Sequence, residues 1–166
     1  MSVTDQLHAL LAKRILLLDG AMGTMIQRCE LNEADFQGER FRNHPCNLKG
    51  NNDLLVITRP STIEKIHDEY FEAGADIVET NTFNSNAISQ SDYQLEQVSY
   101  ELNVAGARLA KAAAKTWTLR TPEQPRFVAG SIGPTNRSLS ISPDIDNPSL
   151  RSVTFDEVKL AYHDQI

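Results

Sequence analysis

Three polar clusters, each standing directly after an apolar run, hold the side chains that could do chemistry. Asp19-Gly20-Ala21-Met22-Gly23-Thr24 follows residues 15–18, Glu79-Thr80-Asn81-Thr82 follows residues 75–78, and Gly133-Pro134-Thr135-Asn136 follows residues 126–132. A carboxylate such as Asp19 or Glu79 can take an ammonium group. Gly20 and Gly23 lack a Cβ, so their backbone can approach a ligand closely and offer N–H groups to a carboxylate. The mixture suits a small zwitterion. The competing reading is local: Asp-Gly is a common turn pair, Glu79 can pair with a helix base, and Asn81 can satisfy backbone. Residue types alone leave both readings open.

Other chemistries find less support. Gly20-x-x-Gly23 lacks the third glycine and the spacing of a dinucleotide fingerprint. No Ser-His-Asp or Cys-His arrangement stands out. The chain has two cysteines, Cys29 and Cys46, with no CxxC pair, and His8, His44, His67 and His163 show no ligand spacing with one another or with a cysteine. A disulfide framework and a zinc site built from this chain alone are therefore not expected. Both thiols read as passive, and His67, on an apolar helix face, reads as a packed core histidine.

The clusters need elements to position them. Short apolar runs at 15–18 and around Ile77-Val78 and Phe127-Val128 read as buried strands. Between them lie helical patterns. Residues 4–13 form a short helix capped by Thr4, with Leu7, Leu10 and Leu11 on one face. Ser61 and Glu64 form a capping-box pattern ahead of a face of Ile63, Ile66, His67, Tyr70 and Phe71, which Gly74 stops. Leu95, Val98, Leu102, Ala105 and Leu109 mark a long helix over residues 92–116. Thr154 and Glu157 form a second capping box before Phe155, Val158, Tyr162 and Ile166. Residues 27–52 and 137–153 read as long loops, the first with room for one helical turn, and the run 53–58 is ambiguous. Loops that long are usually functional.

The plan is strand, loop, helix, three times over, with no hairpin signal. That implies an α/β fold with parallel strands and right-handed crossovers, whether barrel or open sheet. In either case ligands bind at the carboxyl ends of the strands, where the three clusters stand. The last helical pattern runs to Ile166 with no C-cap, which reads as a cut inside a helix of a longer chain.

The chain has 166 residues, enough for one domain, with 40% hydrophobic and 23% charged residues. A net charge of -6 without a Lys/Arg cluster provides no electrostatic footprint for nucleic acid or an anionic membrane surface. No apolar run approaches transmembrane length, and residues 1–14 lack a signal peptide's basic start and apolar centre. The cytoplasm is the expected compartment.

The segments LLLDGAMGTMIQ, LNEADFQGERF, CNLKGNNDLLVITRPSTIEKIHDEYFEAGADIVETNTFNS and GSIGPTNRSLSISPD resemble the homocysteine-binding methyltransferases over essentially the whole chain. G-E-R-F and L-K-G-N-N-D-L-L point within that family to the cobalamin-dependent methionine synthases. The resemblance implies the N-terminal portion, about three βα units, of a (β/α)8 TIM barrel that holds homocysteine at the carboxyl ends of its strands. It implies a zinc-bound homocysteine thiolate that takes a methyl group from methylcobalamin, with folate- and cobalamin-binding domains elsewhere in a longer chain. Asp19 matches the strand-end acid near the substrate amino group. Gly20, Ala21, Met22, Gly23 and Thr24 match the turn lining the pocket, and Glu79, Asn81 and Thr82 match the second strand end. The family's zinc ligands are three cysteines, which neither Cys29 nor Cys46 matches and which are expected beyond Ile166. The piece by itself is expected to be inactive, without bound zinc, and prone to self-association. The alternatives are a betaine- or S-methylmethionine-dependent methyltransferase and a non-catalytic binding or assembly module.

Overall fold

The computed structural model describes residues 2–166. Helix α1 (Val3–Leu11) begins with a capping box, but its cap is Ser2 paired with Asp5 rather than Thr4. Helices α2 (Met22–Gln27) and α3 (Glu33–Gln37) are short, and α3 is the helical turn inside the first long loop. The ambiguous run is helical: a 3-10 turn over Asn52–Leu54 passes into α4 (Leu55–Thr58). α5 (Pro60–Glu72) starts with proline in its first turn and no side-chain cap, so the Ser61/Glu64 capping box is not formed. Pro60 removes one of the first-turn N–H groups that would need a partner, and its ring presets the helical φ. Gly74, at φ 104°, turns the chain into β1 (Ile77–Glu79).

After β1 the chain makes α6 (Ala87–Gln90) and two 3-10 turns before α7 (Ser99–Arg120). The long helix therefore begins later than its apolar pattern suggests, because Gln94 adopts a left-handed conformation at φ 53°, and it runs on to Arg120. β2 (Phe127–Ala129) and α8 (Phe155–Gln165) complete the order. The Thr154/Glu157 capping box opens α8 as expected. Its buried residues, however, are Ala161 and Gln165, whereas Phe155 and Ile166 are exposed. Residues 137–153 form no helix or strand.

The sheet is small and parallel. β1 pairs with β2 in the register Ile77↔Phe127, Val78↔Val128, Glu79↔Ala129. On the other side of β1 the expected first strand is reduced to one parallel bridge, Leu18↔Ile77. It is not buried either: Ile15 is 83% exposed and Leu18 52%. Among the described residues nothing covers its outer side, so the apolar run is spent on an edge. α5 and α7 pack on each other, and α7 also packs on both strands. One core cluster joins Leu48, Leu54, Leu55 and Ile63 with Leu95 and Leu102. A second joins Phe71 and Val78 to Ala110, Ala113 and Ala114 of α7.

The amino ends of the strands are tied by one ion pair. Arg14 reaches Asp76 with two hydrogen bonds, of 2.6 and 2.7 Å. Leu17 N–H donates to the same carboxylate at 2.9 Å and Gln124 Nε2 at 3.1 Å. The Arg14 guanidinium holds the Asp76 carboxyl down at about 2. The chain entering residues 15–18, the start of β1 and the approach to β2 thereby share one buried charge.

Candidate functional site

At the opposite ends of these segments the chain leaves a cleft of about 430 Å³. Asp19 stands where the edge segment ends. Its own N–H bonds Ile77 O at 2.9 Å, and its Oδ1 accepts the Glu79 N–H at 3.0 Å. The acid therefore bridges two neighbouring strand ends with its carboxylate toward the cleft. Burial raises its pKa to about 6, against the lowering effect of the Glu79 N–H, and the Glu79 charge pushes the same way as burial.

Of the residues singled out in the sequence, Asp19, Gly20, Ala21, Met22, Gly23, Glu79 and Asn81 line this cleft, and Thr24 and Thr82 do not. Thr24 is exposed on α2. Thr82 is buried and structural: its hydroxyl lies 2.6 Å from that of Thr80 and donates to Ser131 O at 3.0 Å. Ser131 N–H in turn donates to Thr80 Oγ1. These bonds weld the end of β1 to the end of β2. Asn81 is spent in part on backbone, with its Nδ2 donating to Asn52 O at 2.8 Å. Gly20 and Gly23 have ordinary φ, and a Cβ on either would meet its nearest neighbour at 3.6 Å or more. Their contribution is open space toward the cleft rather than relief of strain.

The third cluster behaves differently from its expectation. Ser131 reaches the cleft, but residues 133–136 do not line it. Gly133 instead seats Phe83. Its N–H donates to Phe83 O at 2.8 Å, and a Cβ there would stand 2.4 Å from the Phe83 ring. Tyr162 of α8 fixes the same glycine by donating to its carbonyl at 2.8 Å. Phe83, half exposed, thus forms one lip of the cleft.

Thr80 of the second cluster also lines the cleft, and Gly50, Asn52, Asp53, Phe83 and Asn84, which were not anticipated as site residues, complete the lining. Asp53 opens an apolar run and sits on a 3-10 turn, and no local signal distinguishes it from a helix-start acid. The lining contains three carboxylates and no Lys, Arg or His. A cleft of that composition attracts a cationic group and disfavours a bare anion.

The thiols and imidazoles are engaged elsewhere. Cys46 Sγ donates to Tyr93 O at 3.2 Å, and His44 Nε2 lies 2.7 Å from the same carbonyl. Cys29 is exposed, its thiol directed at Met25 O. His67 is fully buried, as expected for a core histidine, with neither ring nitrogen hydrogen-bonded. Among the described residues no three His, Cys, Asp or Glu side chains stand together as a metal-holding group. Zinc, which the family resemblance implies, therefore finds no fitting donor set here.

The model of the family described as homocysteine S-methyltransferase matches residues 16–166. Among solved structures, the chain is similar to the homocysteine methyltransferase MmuM from Escherichia coli. The metallated form is 27% identical with a TM-score of 0.60, the match covering 77% of this chain and 41% of that one. The oxidised form is 29% identical with a TM-score of 0.60, covering 77% of this chain and 40% of that one. The chain spans about two fifths of the length of these structures. The family match takes in the strand-end acid, both strands and the whole cleft, and on it this chain belongs to the homocysteine S-methyltransferase family.

Proposed function

We propose that the cleft is the amino-acid end of a homocysteine site. The chain would form the N-terminal part of a barrel domain, about two fifths of it by the length of the solved relatives. The observation that carries this reading is Asp19: a strand-end carboxylate, partly desolvated and with no cation against it among the described residues, facing a cleft whose lining has no Lys, Arg or His. The ammonium of L-homocysteine would supply that cation and draw the carboxyl's pKa back down. Glu79 adds a second negative charge beside it, and the open backbone of residues 20–23 leaves room for the substrate carboxylate. Gly20, Ala21, Met22 and Gly23 are thus binding residues in this reading, with Asp19, Glu79 and Asn81.

The whole domain would methylate the homocysteine sulfur to give methionine. Zinc would supply thiolate chemistry from cysteines beyond Ile166; this chain's residues bind and orient the amino acid. The methyl donor proposed is methylcobalamin, on the G-E-R-F and L-K-G-N-N-D-L-L segments. Gly50, Asn52 and Asp53 of the second segment line the cleft. Folate- and cobalamin-binding domains of the same longer protein would be the partners, working in the cytoplasm. The isolated chain would be inactive and hold no stoichiometric zinc. Its uncovered edge at residues 15–18 favours self-association.

The direct test is a titration of the 15N-labelled chain with L-homocysteine and with its des-amino analogue. Selective shifts at Asp19, Glu79 and Asn81 with homocysteine alone support the reading. Equal responses to both compounds, or none to either, refute it. Label transfer in the longer protein, from methylcobalamin or from S-methylmethionine, decides the donor.

A further inference from the structure

The turn that carries the cleft lip is held by a single charged side chain. Asp53 is 3% exposed. Its Oδ1 accepts the Asn84 N–H at 2.8 Å and the Ser85 hydroxyl at 2.9 Å. Oδ2 makes no hydrogen bond to another residue among those described, and Asp53 itself lines the cleft beside Asn84 and Phe83. The rest of the turn is tied by neutral groups: Ser85 N–H to Thr82 O at 3.1 Å, Gln90 Nε2 to Asn84 O at 3.0 Å, and Asn103 Nδ2 to Ser85 O at 2.7 Å.

We propose that Asp53 is a positioning residue of the cleft: by accepting from Asn84 and Ser85 it sets the 83–85 turn, and with it the Phe83 lip, at the height the ligand requires. This rests on the cleft being the homocysteine site. A single oxygen of Asp53 accepts from two adjacent residues of the turn, so removing that one acceptor frees both donors at once. Burial raises the Asp53 pKa, and the bonds from Asn84 and Ser85 oppose that rise. The carboxylate therefore depends on the turn as much as the turn depends on it. The arrangement also explains an acid at the head of an otherwise apolar run.

Asp53→Asn, Asp53→Ala and Ser85→Ala separate the roles. Asparagine keeps an oxygen acceptor for both donors and loses only the charge. Alanine at 53 removes both bonds and leaves two buried donors unpaired, which is expected to weaken L-homocysteine binding about tenfold. Ser85→Ala removes one bond and leaves a smaller loss, and it serves if Asp53→Ala fails to fold. The amide resonances and exchange protection of residues 83–85 report the turn without any ligand.

The expected result is that Asp53→Ala shifts and deprotects those amides and weakens binding, while Asp53→Asn restores both. Unmoved amides in Asp53→Ala and Ser85→Ala overturn the proposal. So does a moved turn with unchanged affinity. Loss of binding in Asp53→Asn with the amides in place would make Asp53 a direct charge contact and equally overturn positioning. A wild-type chain that ignores homocysteine refutes the ligand reading instead, and the amide comparison still decides whether Asp53 holds the turn.

Discussion

Asp19→Asn should make the protein more stable and less able to bind its ligand. In the native state burial holds the Asp19 proton up to about pH 6, whereas the free carboxyl releases it near 3.8. Between these values the native state binds more protons than the unfolded chain, so stability falls as pH rises through the window and stays lower above it. A shift of that size corresponds to about 3 kcal/mol at full strength. Asp19 is only half-buried, and solvent screening reduces the figure to about 1.5 kcal/mol. Asparagine keeps the oxygen that accepts the Glu79 N–H and removes the desolvated charge. Thermal melts of wild type and variant should therefore diverge above pH 6, the variant melting about 3–6 °C higher, and should coincide below pH 3.8. Saturating L-homocysteine should reverse the order at pH 7.5, because it stabilises only the protein that binds it. Equal melting temperatures at pH 7.5 without ligand, or a less stable variant, would refute the desolvation argument and with it the reading of Asp19 as a carboxylate awaiting a cation.

Arg14→Ala should destabilise the chain by about 2–3 kcal/mol at pH 7, since it strands the buried Asp76 carboxylate; denaturant unfolding measures it. Because Asp76 titrates at about 2, its stabilising effect is present above pH 4 and lost as pH falls toward 2, and the variant should lack that dependence. His67→Leu should stabilise by about 1 kcal/mol at pH 7, as no hydrogen bond is given up and an unpaired polar ring leaves the core. The gain should grow as pH falls from 6.5 toward 4, the range in which the unfolded imidazole binds a proton and the buried one does not. Gly106→Ala should destabilise by about 1–3 kcal/mol despite alanine's better helix propensity, because its Cβ would stand 2.6 Å from Thr82 Cγ2; a lower melting temperature is expected, and a higher one would show that the contact between Thr82 and α7 yields freely.

Wherever a signal is local, it was legible in the residues. The Thr154/Glu157 box opens α8, Gly74 ends the helix before β1, and the apolar stripe through Leu95, Val98 and Leu102 lies in the core. Each depends on contacts within one or two turns of chain. The order of strand, helix and strand was readable for the same reason, because periodicity repeats within each element. The strand-end position of Asp19 and Glu79 followed from that order, and both line the cleft.

Long-range geometry decided the rest. An apolar run does not state what will cover it, so residues 15–18 read as buried although nothing described lies outside them, and residues 54–58 proved helical only against α5 and α7. Thr80 and Thr82 have the same chemistry, yet only Thr80 lines the cleft, while the Thr82 hydroxyl is directed at Ser131 O. Asp53 joins the site by a bond to Asn84, 31 positions further along the chain, and Gly133 serves Phe83 rather than a ligand. The sequence by itself determined the order of the elements and which polar residues stand at strand ends, since periodicity and turn residues follow from near neighbours, but not their exact bounds. Only the tertiary structure decided which of them share a cleft, because loop closure and packing bring distant residues together and no local pattern encodes that.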